Sequence, residues 1–265
     1  EDILFRGDEC LIVRRPEVEL REVAAIVRRN GLEIPSAHFL HLLPEPGLPL
    51  ESIFPTHEKI LGMAALAGLR RVTTHIGGIA VPQAVNARER PTPAERLVRR
   101  EIAYGEYAEG VRQAYGRERI LPDCICAYRH LCAEAAKRGI TPTIETACSE
   151  LYEVNLRPEA IIDVIRDVGA PNLGICVDAG HCHLKGLDVA GIIRRCGPHF
   201  LETHFHDNFG DRDRHNPVGI GTIDWLKVIL ALHETGYAGE ITFEQGDYVT
   251  NARNWTLFIG QASRQ

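Results

Sequence analysis

The sequence predicts an α/β protein: a (β/α)8 TIM barrel held in one domain over residues 1–265. Two observations lead there. Apolar segments that read as strands alternate with segments of helical periodicity, the pattern of parallel βαβ units. Acidic residues and histidines fall at the C-terminal ends of the predicted strands, where barrels of this kind place their chemistry. The length agrees, since such barrels typically run to about 250 residues as one domain.

Taken in order, Asp2 to Arg6 reads as a short strand, and Pro16 to Asn30 as a helix with Pro at its start and Asn30-Gly31 as its stop. Glu33 to Phe39 is a strand that carries His38, and a Pro-rich loop leads to a helix over Glu51 to Leu69. Arg71 to His75 is the next strand, broken by Gly77-Gly78. Residues 82–120 read as an enlarged helical insertion, with a helix from Thr92-Pro93 to Tyr115; this segment is the candidate lid or subunit contact of a homo-oligomer. A helix over Pro122 to Arg138 follows. The rhythm then becomes regular. Strands Thr141 to Thr146, Leu173 to Asp178, Phe200 to His206 and Glu240 to Glu244 alternate with helices Pro158 to Val168, Val189 to Cys196, Asp224 to Thr235 and Asn251 to Gln261. That makes seven strands, and a closed barrel needs eight. The chain thus reads as lacking the barrel's first strand and helix; these are expected to precede Glu1, or another segment to fill the gap, because an open barrel leaves two unpaired edges.

Composition narrows the function classes. A hydrophobic content of 45% with 25% charged residues is ordinary for a soluble globular protein. No apolar run approaches the length of a membrane span, and no signal peptide is recognisable. A net charge of -6 provides no long-range attraction for nucleic acid or an acidic membrane. The eight cysteines form no CxxC pair, which reads as reduced, cytoplasmic usage.

The stretch from His204 to Asp224, HFHDNFGDRDRHNPVGIGTID, is the most chemically loaded. Strand alternation points His204 and His206 to one face, with Glu202 below them. His38, His75, Glu145, Asp178, His204 and Glu244 all lie at predicted strand ends. A carboxylate facing inward from an apolar strand, as expected of Glu145 and Glu244, is costly unless it is paired, hydrogen-bonded or bound to a cation. Asp178-Ala-Gly-His181 adds an imidazole three residues beyond a strand end. A donor set of carboxylates and imidazoles without thiolate suits Mn²⁺, Mg²⁺, Co²⁺ or Zn²⁺.

On these residues the chain resembles the xylose isomerase-like barrel superfamily, which holds sugar isomerases, ketose 3-epimerases, inosose and dehydroshikimate dehydratases, and endonuclease IV. The motifs that carry the resemblance are Glu145, Asp178-x-x-His181, His204-x-x-Asp207, the turn from Pro217 to Asp224, and Glu244. The resemblance implies one divalent ion on Glu145, Asp178, His204 and Glu244. It further implies an isomerase or epimerase in which Glu145 and Glu244 shuttle a proton across a metal-stabilised ene-diolate of a sugar or polyol. His181 matches a position that touches substrate oxygens, and Arg212 or Arg214 would meet a hydroxyl or phosphate. His206 shares a face with His204 and is the alternative ligand. The family's Pro-Gly-Glu-Gly turn reads Pro217-Val218-Gly219-Ile220-Gly221 here, without the Glu.

A cyclic-polyol dehydratase is one alternative that the resemblance leaves open. An endonuclease IV-like phosphodiesterase is another, because the chain supplies His38, His75, Glu145, Asp178, His181, His204, Asp213, His215 and Glu244, enough for up to three Zn²⁺. Against that reading, no Lys or Arg occurs between Gly31 and Glu58, in the loop region that would have to meet phosphates.

Overall fold

The computed structural model describes residues 17–39, 42–44, 46–77, 104–146 and 158–264. Five parallel strands form one sheet: β1 (Ser36–Phe39), β2 (Arg71–Thr74), β3 (Thr141–Glu145), β4 (Gly174–Asp178) and β5 (Phe200–His204). Their spatial order is their chain order, so every crossover steps the same way round, as a barrel requires and a doubly wound sheet does not. The helices are α1 (Glu17–Arg29), α2 (Phe54–Ala67), α3 (Tyr104–Tyr115), α4 (Arg117–Ala136), α5 (Pro158–Val168), α6 (Ala179–Leu184), α7 (Val189–Cys196), α8 (Trp225–Glu234) and α9 (Tyr248–Ala262).

The two faces of the sheet differ in chemistry. Ile144, Ile175 and Val177 are fully buried in the same apolar cluster as Leu61 of α2, Tyr128 and Leu131 of α4, Ile161 of α5 and Ile192 of α7. On the other face, Thr73 of β2 and Thr143 of β3 hydrogen-bond to Glu202 of β5. Neither β2 nor β3 is a sheet neighbour of β5, so this contact exists only because the sheet curls with these residues on its concave side. The curl is carried further by the segment around Phe243, which bridges to Phe205 in parallel. Phe205 N–H donates to Thr242 O (2.8 Å), and Glu244 N–H donates to Phe205 O (3.1 Å). At the opposite end, Arg70 and Arg71 both pair with Glu240.

Several expectations shift. Glu240 to Glu244 makes only an isolated bridge, Phe243 to Phe205 just past the end of β5, and Thr203 Oγ1 hydrogen-bonds to both Glu240 O and Thr242 N–H in place of a regular ladder. α4 starts at Arg117 and contains Pro122, instead of starting at it. A short helix, α6, forms directly after β4, capped by Asp178, whose Oδ1 accepts from His181 N–H at 2.6 Å. The capping residues of α8 and α9, Asp224 and Asp247, accept from Lys227 N–H and Thr250 N–H. The predicted strand at Asp2 to Arg6 and most of the 82–120 insertion lie outside the described residues. Cys124, Cys126, Cys132, Cys176, Cys182 and Cys196 are free thiols.

Candidate metal centre

The ends of β3, β4 and β5, with the bridge segment, bring Glu145, Asp178, His204 and Glu244 together, one donor atom from each lying within 4.8 Å of all the others. His204 Nδ1 is 3.4 Å from Glu145 Oε1 and 3.7 Å from Glu244 Oε2. These three atoms are buried and make no well-aligned hydrogen bond among the described residues. Buried polar atoms left that way are costly. Three carboxylates and one imidazole converging on one point fit a divalent cation.

The electrostatics show the same strain. Burial and the neighbouring Glu145 push the Glu244 carboxyl up to about 8. Burial opposes a charge on His204, but the adjacent Glu145 raises its pKa to about 10. Burial would raise Glu145 too, yet the imidazoles of His75, His204 and His38 hold it well below the usual carboxylate range. The two facing glutamates are thus shifted in opposite directions, Glu145 down and Glu244 up.

Glu145 serves a second set through its other oxygen. His38 Nε2 and His75 Nε2 lie 2.6 and 2.8 Å from Glu145 Oε2. Burial keeps the pKa of His38 below its ordinary value. A third set joins His181, His206, Asp213 and His215. Asp213 Oδ2 is 3.3 Å from His181 Nε2 and 3.2 Å from His215 Nε2. The rings of His206 and His215 stack with centroids 3.9 Å apart. His215 sits at φ 45°, in the left-handed region, where its Nδ1–H donates to Glu244 O at 2.8 Å. The first and third sets are thereby joined through Glu244, and again through Asp178, 3.1 Å from His206 Nε2.

His204 and His206 are thus placed in different sets. Gly180, beside Asp178, makes room for the second: a Cβ there would lie 2.0 Å from the His206 ring. Arg214 forks onto Asp211 and lies over the Phe209 ring, and Arg212 is exposed. Among the described residues, no helix is long and apolar enough to cross a membrane.

A family profile described as a xylose isomerase-like TIM barrel matches residues 4–256. The chain belongs to that family. Among solved structures, a D-tagatose 3-epimerase-like protein is similar with a TM-score of 0.69 at 18% identity, covering 93% of this chain and 84% of that one. The 3-keto-D-glucoside 4-epimerase of E. coli has a TM-score of 0.61 at 16% identity, covering 96% and 86%. At such identities the likeness is one of fold. The D-psicose 3-epimerase of Agrobacterium fabrum is 28% identical over 140 residues, 53% of this chain and 42% of that protein. An uncharacterised protein of Methanocaldococcus jannaschii is 32% identical over 93 residues, 34% of this chain and 32% of its own length. The matches thus span less than half the length of these curated relatives.

In this xylose isomerase-like barrel, Asp207 has a role that the sequence reading did not assign. Its buried carboxylate accepts from Asn208 N–H, Gly219 N–H, Ile223 N–H and Trp225 Nε1–H, at 2.7 to 3.3 Å. One side chain thereby ties down the loop that presents Asp213 and His215. Its place in the His204-x-x-Asp207 motif was visible; the four donors come from residues up to 18 positions away.

Proposed function

We propose that this chain is a divalent-metal-dependent sugar isomerase or epimerase, acting on a ketose or a related polyol by proton transfer between Glu145 and Glu244. The observation that carries the reading is the convergence of Glu145, Asp178, His204 and Glu244 within 4.8 Å. The partial match to a D-psicose 3-epimerase supports the same reaction class. These four residues would hold one Mn²⁺, Mg²⁺, Co²⁺ or Zn²⁺. When bound, the ion supplies Lewis-acid polarisation of the carbonyl beside the reacting carbon.

The chain's own residues do the rest. An ionised carboxylate takes the proton from the carbon next to the carbonyl; the C–H electron pair forms the C=C bond of the substrate's ene-diolate and the carbonyl π pair moves onto oxygen. The second carboxyl group then gives its proton to the opposite face of that carbon. Such an exchange needs one glutamate ionised and the other protonated, and the opposite shifts of Glu145 (downward) and Glu244 (upward) in the ion-free chain support that division. His181, with its side chain 11% exposed, would contact a substrate oxygen. Arg212 would meet a hydroxyl or phosphate at the rim, and Arg214 could do so only by leaving Asp211.

Elemental analysis of protein purified without chelator or added metal, followed by incubation with ketoses in D2O, tests the reading. About one ion per chain is expected from the four-ligand set. Solvent deuterium should appear at the epimerised carbon and be lost in Glu145→Gln and Glu244→Gln. No metal uptake on titration and no exchange with any ketose would reject the reading. Loss of water from an inosose, with no epimer formed, would select the dehydratase alternative.

A second reading, a trinuclear zinc phosphodiesterase, is favoured by the two further sets, His38–His75–Glu145 and His181–His206–Asp213–His215. The absence of Lys and Arg between Gly31 and Glu58 favours the first reading. Three zinc ions per chain together with cleavage of bis(p-nitrophenyl) phosphate would reverse that order.

A further inference from the structure

One residue pair below the candidate ligands, the concave face of the sheet is polar, where barrels of this type usually carry branched aliphatic side chains. Thr73 lies two residues before His75, Thr143 two before Glu145, and Glu202 two before His204. Thr73 and Thr143 are fully buried and Glu202 is 1% exposed. Both hydroxyls donate to the same oxygen, Glu202 Oε2, at 2.8 and 2.7 Å. Glu202 Oε1 makes no hydrogen bond among the described residues, so the cross-barrel contact runs through Oε2. Arg71 Nε approaches that oxygen from below at 3.9 Å, and its guanidinium also pairs with Glu240, four residues before Glu244.

We propose that Glu202 is a positioning residue, a buried clamp that sets the spacing of the strands presenting His75, Glu145 and His204. The inference rests on the metal-site reading only for its two Co²⁺ readouts. The backbone ladder fixes neighbouring strands, but β5 is separated from β3 by β4 and from β2 by two strands. Across those gaps the sheet can breathe unless something bridges the interior. Hydroxyl-to-carboxylate bonds are short, directional and stronger than neutral ones. Each acts one residue pair beneath a ligand, so a small displacement of the clamp passes directly to Glu145 Oε1 and His204 Nδ1. Metal ligands tolerate errors of only about 0.2 Å, which packing of aliphatic side chains alone does not guarantee. A simple counter-ion for Arg71 would not need both threonines, and Arg71 already has Glu240.

The test compares the native chain with an apolar-floor variant, Thr73→Val, Thr143→Val and Glu202→Met, and with the conservative Glu202→Gln. The apolar floor should keep the native melting temperature or raise it, because buried ionic groups replaced by well-packed apolar ones are often neutral or stabilising. Its Co²⁺ affinity should fall by about 10–100-fold with an altered visible spectrum, the usual cost of losing a ligand's support. Glu202→Gln, whose amide oxygen still accepts both hydroxyls, should restore most of that affinity. Native affinity and spectrum in the apolar-floor variant would overturn the proposal. If the native protein takes up no Co²⁺, the functional reading fails, and crystal structures of both metal-free proteins decide this one. Growth of the Glu145 Oε1 to His204 Nδ1 separation beyond its 3.4 Å supports the clamp; an unchanged separation refutes it. Should the triple variant not fold, Thr143→Val alone carries the same readouts.

Discussion

Glu145 is the residue on which most of the site depends, with His204 on one oxygen and His38 and His75 on the other. Glu145→Gln should lower turnover by about 10²–10⁴-fold, the usual worth of a positioned acid–base group, with far less effect on folding. Steady-state assays on any ketose found active would measure it. The pH dependence follows from Glu244 and His204. Their raised values in the folded, ion-free chain, about 8 and about 10, mean that both prefer to keep their protons. The stability they contribute is complete below their unfolded values near 4.5 and 6.5, and is lost as pH climbs through 8 and then 10. Ligation would need His204 neutral and would be strengthened as Glu244 ionises, so ion affinity should move the other way and rise over that range, with protons released on binding. Melting curves with and without chelator between pH 5 and 9 should therefore diverge as pH rises. Parallel curves would contradict the shared site.

At the scale of elements, the loop after β5 is the part whose geometry is most exposed to single changes. Asp207→Ala would leave the buried donors of Asn208, Ile223 and Trp225 unsatisfied and remove the acceptor of the more exposed Gly219 N–H. A loss of about 3 kcal/mol or more is expected, together with a shift in Trp225 fluorescence and weaker engagement of Asp213 and His215. Gly221→Ala should act on the same loop, because a Cβ there would sit 2.2 Å from both Asn208 O and Asp207 Oδ1. Denaturant titration of both variants would check this; a melting transition within 1 °C of native for Asp207→Ala would count against the hub. In α6, Gly180→Ala should drive the His206 ring off Asp178 and perturb the third set while leaving Glu145, Asp178, His204 and Glu244 in place. Titration with zinc would then show a reduced stoichiometry only if that third set binds an ion.

For the whole molecule, ion binding and folding should be linked, since the proposed ligands come from three strands and a bridge segment that are separate in the unfolded chain. At about 100 times the dissociation constant an ion adds roughly 2.7 kcal/mol, which for a domain of this size is a rise of roughly 5–10 °C in melting temperature. Calorimetry after chelation and after re-addition would measure it. Much of this architecture was legible beforehand. The period of the apolar segments marks strands and helices, the order βαβ implies a parallel barrel, and carboxylates at strand ends are expensive enough to stand out one at a time; Pro158 to Val168 and Val189 to Cys196 are helices at the bounds the pattern predicts. Local rules act over a few residues, so they reach that far and stop. They could not tell that Glu240 to Glu244 makes a bridge where a full strand was expected, nor that His206 parts from His204 to stack on His215. The division of ten residues among three sets, with Glu145 shared by two of them, the four hydrogen bonds on Asp207 and the clamp at Glu202 depend on distances across the barrel, between residues as many as 129 positions apart. Only the closing curl of the sheet brings those distances down to contact, so that part was decided by the tertiary structure alone.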